Sequence, residues 1–361
     1  MNAADVLRVK ELFLAASELP ANERILYLDA EGIAAGAIRD RVLRLLGHLD
    51  IAGDEVPPPD LDQFEAPDPE TIGPYRVLAR IAEGGMGIVF RAEQIEPMRR
   101  IVAIKVIKPG MDSRAVLARF EAERQTLAAM NHPGIAKVYD AGSDSAGRPY
   151  FVMEFVEGEP ITDYCDRERL DPEARLSLFV AVCRGVQHAH QRGVLHRDLK
   201  PGNVLVTEVD GGVAKATEQR QAEHTLHTHL GMVIGTPEYM SPEQADPDTT
   251  DIDVRSDVYS LGALLYELLS GELPFDSPQL RQQGVAAALR VMRETEPARP
   301  STRVSTVTAA TTEHARRRRL EPQSLANRLR GDLDWITLRA LHKEREQRYE
   351  SASALAADLE R

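Results

Sequence analysis

The stretch VLHRDLKPGNVLVTEVDGGVAKATEQR, residues 194–220, decides how this chain is read. Its first part, HRDLKPGN at 196–203, sets Asp198, Lys200 and Asn203 within six positions on a polar segment. A helical pattern precedes it and the apolar run Val204, Leu205, Val206 follows, so it reads as a loop between a helix and a strand. A carboxylate such as Asp198 can orient a hydroxyl and accept its proton as a bond forms. A lysine two residues on can neutralise charge on a transferred phosphoryl group, and an asparagine amide oxygen can ligate Mg²⁺. Polar loop residues are often only solvated. Eight positions in this order, in this context, argue for chemistry instead.

Upstream, PYRVLARIAE, GIVFRAEQI and RRIVAIKVIK are short β-branched runs separated by turn residues, which predicts antiparallel strands. A helix is expected at about 114–130 (Val116, Leu117, Phe120, Leu127), then strands at IAKVYDAGS and RPYFVMEFV. Beyond residue 160 helices dominate, as in PEARLSLFVAVCRGVQHAHQRG and RSDVYSLGALLYELLSGELPF. Strands first and helices after give an α+β, bilobal class: a β-rich lobe at about 73–157 and an α-helical lobe at about 158–361. Between the first two strands, IAEGGMGIVF offers Gly84, Gly85 and Gly87, whose backbone amides could approach a phosphate closely. Alone, such a run usually makes only a turn. Lys105 ends VAIK among Val102, Ala103, Ile104 and Val106, where a buried ammonium needs an anionic partner. A nucleotide phosphate is the natural one; a solvated lysine on an edge strand is the bland alternative.

From about Tyr75 to Arg361 the chain resembles a eukaryotic-type protein kinase of the bacterial serine/threonine class. The resemblance implies ATP between the lobes with Mg²⁺, Lys105 on the phosphates and Glu123, in RFEAERQTL, paired with that lysine. It puts Ala82, Gly84, Gly85 and Gly87 in the glycine loop and Val89, Ala103, Met153 and Leu205 around the nucleotide. Glu154 and Val156, in MEFVEG, would offer backbone groups to the base. Asp198 and Lys200 become the catalytic pair and Asn203 a metal ligand. GTPEYMSPE resembles the substrate-docking end of the activation segment, with Thr236 near Asp198. Asp257 would brace the catalytic loop, and Arg348 would ion-pair with Glu243. Lys200 and GTPEYMSPE resemble serine/threonine rather than tyrosine kinases. The implied function is transfer of the ATP γ-phosphate to protein Ser/Thr hydroxyls; the alternative is a catalytically impaired pseudokinase, an ATP-binding signalling scaffold.

Two positions depart from the family. Its first loop glycine is Ala82 here, which costs ~1–2 kcal/mol if that site needs positive φ. More seriously, the sequence contains no Asp-Phe-Gly, the motif whose aspartate grips the metal. The simplest account is a deletion of about one strand and the Asp-Phe pair, leaving Gly212 as the surviving glycine and Asp210 as a turn residue. The sharper one makes Asp210 the metal ligand and Gly211 the phenylalanine's replacement. A two-residue hairpin, Val204–Leu205 out and Glu208–Val209 back, would then bring Asn203 and Asp210 to one ion. Losing ~4 kcal/mol of metal assistance would slow transfer about a thousandfold.

The remaining sequence sets bounds. The 361 residues carry a net charge of −13, which argues against general nucleic-acid binding. Residues 1–72 hold 15 Asp/Glu against 6 Lys/Arg, so the acidity sits mostly ahead of the kinase-like region. Residues 1–52 read as a helical region, with stripes at Val6, Val9, Leu12, Phe13 and at Ile38, Val42, Leu45, Leu46, Leu49. Self-packing is favoured there over a partner-binding module. Residues 53–72, with five prolines, seven acids and no Lys or Arg, read as a linker before a kinase-like domain at 73–361. No apolar run is long enough to span a bilayer and no secretion signal is visible, so a cytoplasmic location is expected. Cys165 and Cys183 form neither a disulfide framework nor a metal set. His224, His227 and His229 read as solvated, and Thr225 and Thr228 as candidate phosphorylation sites that Arg197 could meet. HARRRRLEP, 314–322, is expected to be a solvated loop, with docking of an acidic segment as the alternative.

Overall fold

A computed structural model of the protein describes residues 8–9, 12–13, 15–16, 21–31, 33, 36, 38–43, 46, 68–84, 87–107, 130–145, 147–207, 213–216, 237–246, 251–275, 285–306 and 308–361. The chain divides into two compact units, residues 1–70 and 71–361. In the first, Val9, Leu12, Phe13, Ala16, Val42 and Leu46 meet Leu28 of helix α1 (Ala21–Ala30) in one buried cluster. The described parts of the two stripes therefore pack on each other. Arg8–Glu31 (2.8 Å) and Arg39–Asp29 (2.5 Å) ion pairs flank this cluster.

The second unit opens with an antiparallel sheet. Its strands are β1 (Thr71–Ile72), β2 (Tyr75–Gly84), β3 (Gly87–Gln94), β4 (Arg100–Ile107), β5 (Val138–Ser143) and β6 (Pro149–Glu154), in the order β1-β2-β3-β4-β6-β5. The sheet starts at Thr71, two residues before the boundary expected from composition, because Ile72 is buried against it. Alternation sorts the side chains by face. Phe90, Val102, Ile104, Val106 and Val152 bury one side, while Val89, Ala103, Phe151 and Met153 bury the other. That second face also packs on Ala189 and Val194 of the helical lobe, so the two lobes share a core beneath the sheet.

A small sheet joins the lobes: β7 (Glu159–Pro160), β8 (Val204–Thr207) and β9 (Val213–Ala216). β8 and β9 pair from Val204↔Ala216 to Thr207↔Val213. The return strand is thus Val213–Ala216 rather than Glu208–Val209, which corrects the two-residue hairpin. The longer ladder satisfies the backbone of Val204 and Val206, whose side chains are buried.

The helical lobe comprises α2 (Ile161–Arg167), α3 (Pro172–His190), α4 (Val254–Ser270), α5 (Val285–Glu294), α6 (Pro300–Ser305), α7 (Ala309–Arg316), α8 (Pro322–Leu329), α9 (Asp332–Ala340) and α10 (Ala352–Leu359). α4 is buried on nearly every side, as its apolar sequence requires. Asp253 caps its start by accepting from the Arg255 N–H, and Gly271, at φ 86°, ends it in the left-handed region.

The arginine run corrects a second expectation in part. His314–Arg316 complete α7, and Arg318 is 1% exposed. Its guanidinium donates to the carbonyls of Leu268 (2.8 Å), Glu267 (3.0 Å) and His314 (2.9 Å). Arg175, equally buried, donates to Cys165 O (2.9 Å), Arg317 O (3.0 Å) and Asp166 Oδ1 (2.8 Å). Carbonyls near the end of a buried helix need partners beyond the helix's own N–H groups, and a five-donor fork supplies them; Glu267 O also takes the Gly271 N–H (2.8 Å). Within the run Arg318 is thus an internal clamp, while Arg316 and Arg319 are exposed as the solvated reading expects.

Candidate active site

The loop HRDLKPGN follows α3 and is held from below by Asp257, the fourth residue of α4, which is fully buried. Asp257 accepts from the His196 N–H (2.8 Å) and the Arg197 N–H (2.7 Å), and its Oδ2 lies 2.7 Å from His190 Nε2. Burial would raise this carboxyl. The His190 hydrogen bond, the nearby His190 and His196, and the Arg197 N–H outweigh it, holding Asp257 below the usual carboxylate range. These contacts keep Arg197 at φ 63°, a left-handed conformation that a side chain disfavours.

Past that kink the three polar residues converge. Asn203 Nδ2 donates to Asp198 O (2.7 Å) and Asp198 Oδ2 (2.6 Å), and Lys200 Nζ lies 3.4 Å from the same Oδ2. With Nδ2 turned to Asp198, Oδ1 is the Asn203 atom that a cation would meet.

In the β-rich lobe, Lys105 is 4% exposed on β4, in register with Val89 on one side and Phe151 on the other. Gly87 lies over it. A Cβ at Gly87 would come within 2.6 Å of Val106 O and 3.3 Å of Lys105 Cε, so only glycine allows this approach. Gly84 pairs with Gly87 at the hairpin's end, and Gly85 lies outside the described residues. Ala82 pairs with Val89 inside the strand and has no positive φ, so the penalty weighed for alanine does not arise.

Val89, Ala103 and Met153 line one buried cluster, with Ala103 and Met153 directly paired. Glu154 N–H donates to Lys137 O (2.8 Å), and Val156 O accepts from Gly158 N–H (3.0 Å). Leu205 reaches this corner from β8: a Cβ at Gly158 would sit 3.2 Å from Leu205 Cβ. Glu123, Asp210 and Thr236, with residues 224–229, lie outside the described residues.

Residues 75–356 match the family described as the protein kinase domain. The chain belongs to the protein kinase family. The serine/threonine-protein kinase PknB of Mycobacterium leprae is 37% identical over 289 residues, or 76% of this chain and 41% of that protein. The serine/threonine-protein kinase pkn2 of Myxococcus xanthus is 39% identical across 63% of this chain and 29% of its own length. The chain therefore spans about two fifths or less of these relatives. The crystal structure of the Mycobacterium tuberculosis PknI kinase domain shares the fold, with a TM-score of 0.56 at 24% identity over 80% of this chain and 96% of that one.

Beside the segment Tyr239–Gln244, Arg348 grips Glu243 through two bonds of 2.7 and 2.8 Å. It also donates to the carbonyls of His342 (2.7 Å), Arg255 (2.9 Å) and Lys343 (2.9 Å), so the pair expected from sequence is present and buried. Burial would raise Glu243, yet the Arg348 contacts and the Ser256 hydroxyl (2.6 Å) hold it below the ordinary range. Sequence reasoning missed His190 and Gln244. His190 stands in the last turn of α3, a place where a cationic side chain meets the helix dipole, and that was the available signal. No helix among the described residues is long and apolar enough to cross a membrane.

Proposed function

We propose that this chain is a serine/threonine protein kinase that transfers the γ-phosphate of ATP to a protein hydroxyl. The convergence of Asp198, Lys200 and Asn203 on one loop, opposite the buried Lys105, carries this reading. Asp198 would orient the hydroxyl and take its proton, while Lys200 beside it would offset charge on the phosphoryl group. Lys105 would hold the nucleotide's phosphates beneath Gly87, and Glu154 and Val156 would meet the base.

The donor set fits Mg²⁺. Asn203 and Asp198 supply hard oxygens, and Mg²⁺ commonly takes one or two protein ligands and completes its shell with phosphates and water. When bound, it neutralises charge developing on the phosphates. Among the described residues no group of three His, Cys, Asp or Glu could hold a metal alone.

The lack of an Asp-Phe-Gly in the sequence favours a second reading, a nucleotide-binding scaffold with weak transfer. Residues 213–216 are taken up as β9, and the ladder ends at the Thr207↔Val213 pair, about 13 Å along the strand from Asn203. Asp210 as a metal ligand is the less favoured arrangement in that register.

Radiolabel transfer from ATP to a generic Ser/Thr substrate, beside Asp198→Asn, tests the first reading. Transfer lost in that variant supports it. Nucleotide binding with no transfer above the Asp198→Asn background would leave the scaffold.

A further inference from the structure

The geometry points to Gln244 as a positioning residue that fixes the peptide preceding Asp198 and couples it to the substrate-docking segment. The inference rests on Asp198 as the residue that meets the substrate hydroxyl. Gln244 Nε2 donates to Arg197 O at 2.8 Å, across 47 positions of sequence. Its Oε1 accepts from the Ser241 N–H (3.1 Å) and the Ser241 hydroxyl (3.1 Å). The amide's orientation follows from its partners, because a backbone N–H can only donate and a carbonyl can only accept. A primary amide of this length meets both demands, whereas glutamate would set an anionic oxygen against the Arg197 carbonyl.

The gripped peptide is the one that aims Asp198. Arg197, at φ 63°, is in a conformation that side chains disfavour and that persists only where its surroundings over-determine it. Asp257 holds its N–H at 2.7 Å, and Gln244 holds its carbonyl. Both peptide planes of the left-handed residue are therefore fixed, one by α4 and the other by the segment around Ser241. Ser241 is fully buried, so that segment has little freedom to follow a displaced loop. Releasing the carbonyl would let the Arg197–Asp198 peptide rotate and carry the carboxylate away from its aim. A misplacement near 1 Å can cost about a hundredfold in rate.

The test compares the full chain with Gln244→Glu, an isostere lacking the donor, and Gln244→Ala. Four quantities are read: kcat, KM for ATP, nucleotide Kd, and backbone hydrogen exchange across 194–203. The expectation for both variants is a kcat lowered roughly 10- to 100-fold, KM and Kd within about twofold, and faster exchange confined to 194–203. Unchanged kcat, or unchanged exchange in that segment, overturns the inference. So does faster exchange spread through the whole helical lobe with a lowered Tm, because Gln244 would then support the fold rather than the loop. Should the unaltered chain transfer no phosphate, the proposed function fails but the exchange measurement still decides: loosening of 194–203 alone sustains the clamp, and no change refutes it.

Discussion

Two adjacent segments, the loop 196–203 and the paired strands of the 204–216 stretch, are fixed in different ways. The loop makes little regular structure, yet its backbone is fastened by Asp257 of α4, itself held by His190 of α3, and by Gln244 from the segment around Ser241. The hairpin is a regular ladder of four residue pairs, with two of its side chains turned into the lobe core. An irregular segment can be the more strongly determined one when distant elements converge on it. The regular one tolerates shortening, because any return strand of suitable pattern satisfies the ladder.

The largest effect that would test this contrast is at Asp198. Asp198→Asn should lower transfer about 10²- to 10⁴-fold while nucleotide affinity stays within twofold, as read by radiolabel transfer beside a binding titration. A small loss would mean that the braced loop is not where chemistry occurs.

Next is Arg348→Ala, which leaves Glu243 buried without its guanidinium and should cost about 3–5 kcal/mol in a denaturant titration. The same pair sets an acid limit. Glu243 titrates below its unfolded value, so its stabilisation is complete above the unfolded carboxylate range and drains away as pH falls through the folded value. Glu243→Gln should flatten that part of the stability–pH curve, and an unchanged slope would assign the acid sensitivity elsewhere.

Smaller effects sharpen the hairpin side. Ala82→Gly should give no gain and should cost about 0.5–1 kcal/mol, since the position is an ordinary strand residue. Asp210→Asn should leave transfer within about twofold. A loss comparable to that of Asp198→Asn would show that the connection folds back to the metal and that the described ladder is not the working arrangement.

What the sequence disclosed follows from range. Asp198, Lys200 and Asn203 are neighbours along the chain, so their order alone carried the chemistry. Glu243–Arg348 and Asp257 were legible because each stands in its own short, patterned stretch. Gln244 was not: a glutamine after Pro-Glu looks solvated until the fold brings Arg197 O to it. Arg318 was misread for a related reason. Its partners are carbonyls, which every residue has and no sequence advertises. The return strand failed on pattern, since Glu208–Val209 and Val213–Ala216 both alternate and only burial of Val204 and Val206 selects the longer ladder.

The paired guanidiniums of Arg175 and Arg318 have a consequence for behaviour in brine. Mobile ions weaken attractions between charges that face water, such as Arg184 and Glu360 on the surface, within about 3 Å at 1 M. They cannot reach cations sealed against carbonyl dipoles at the end of α4. As ionic strength climbs, the floor of the helical lobe should keep its grip after the outer charge pairs have let go.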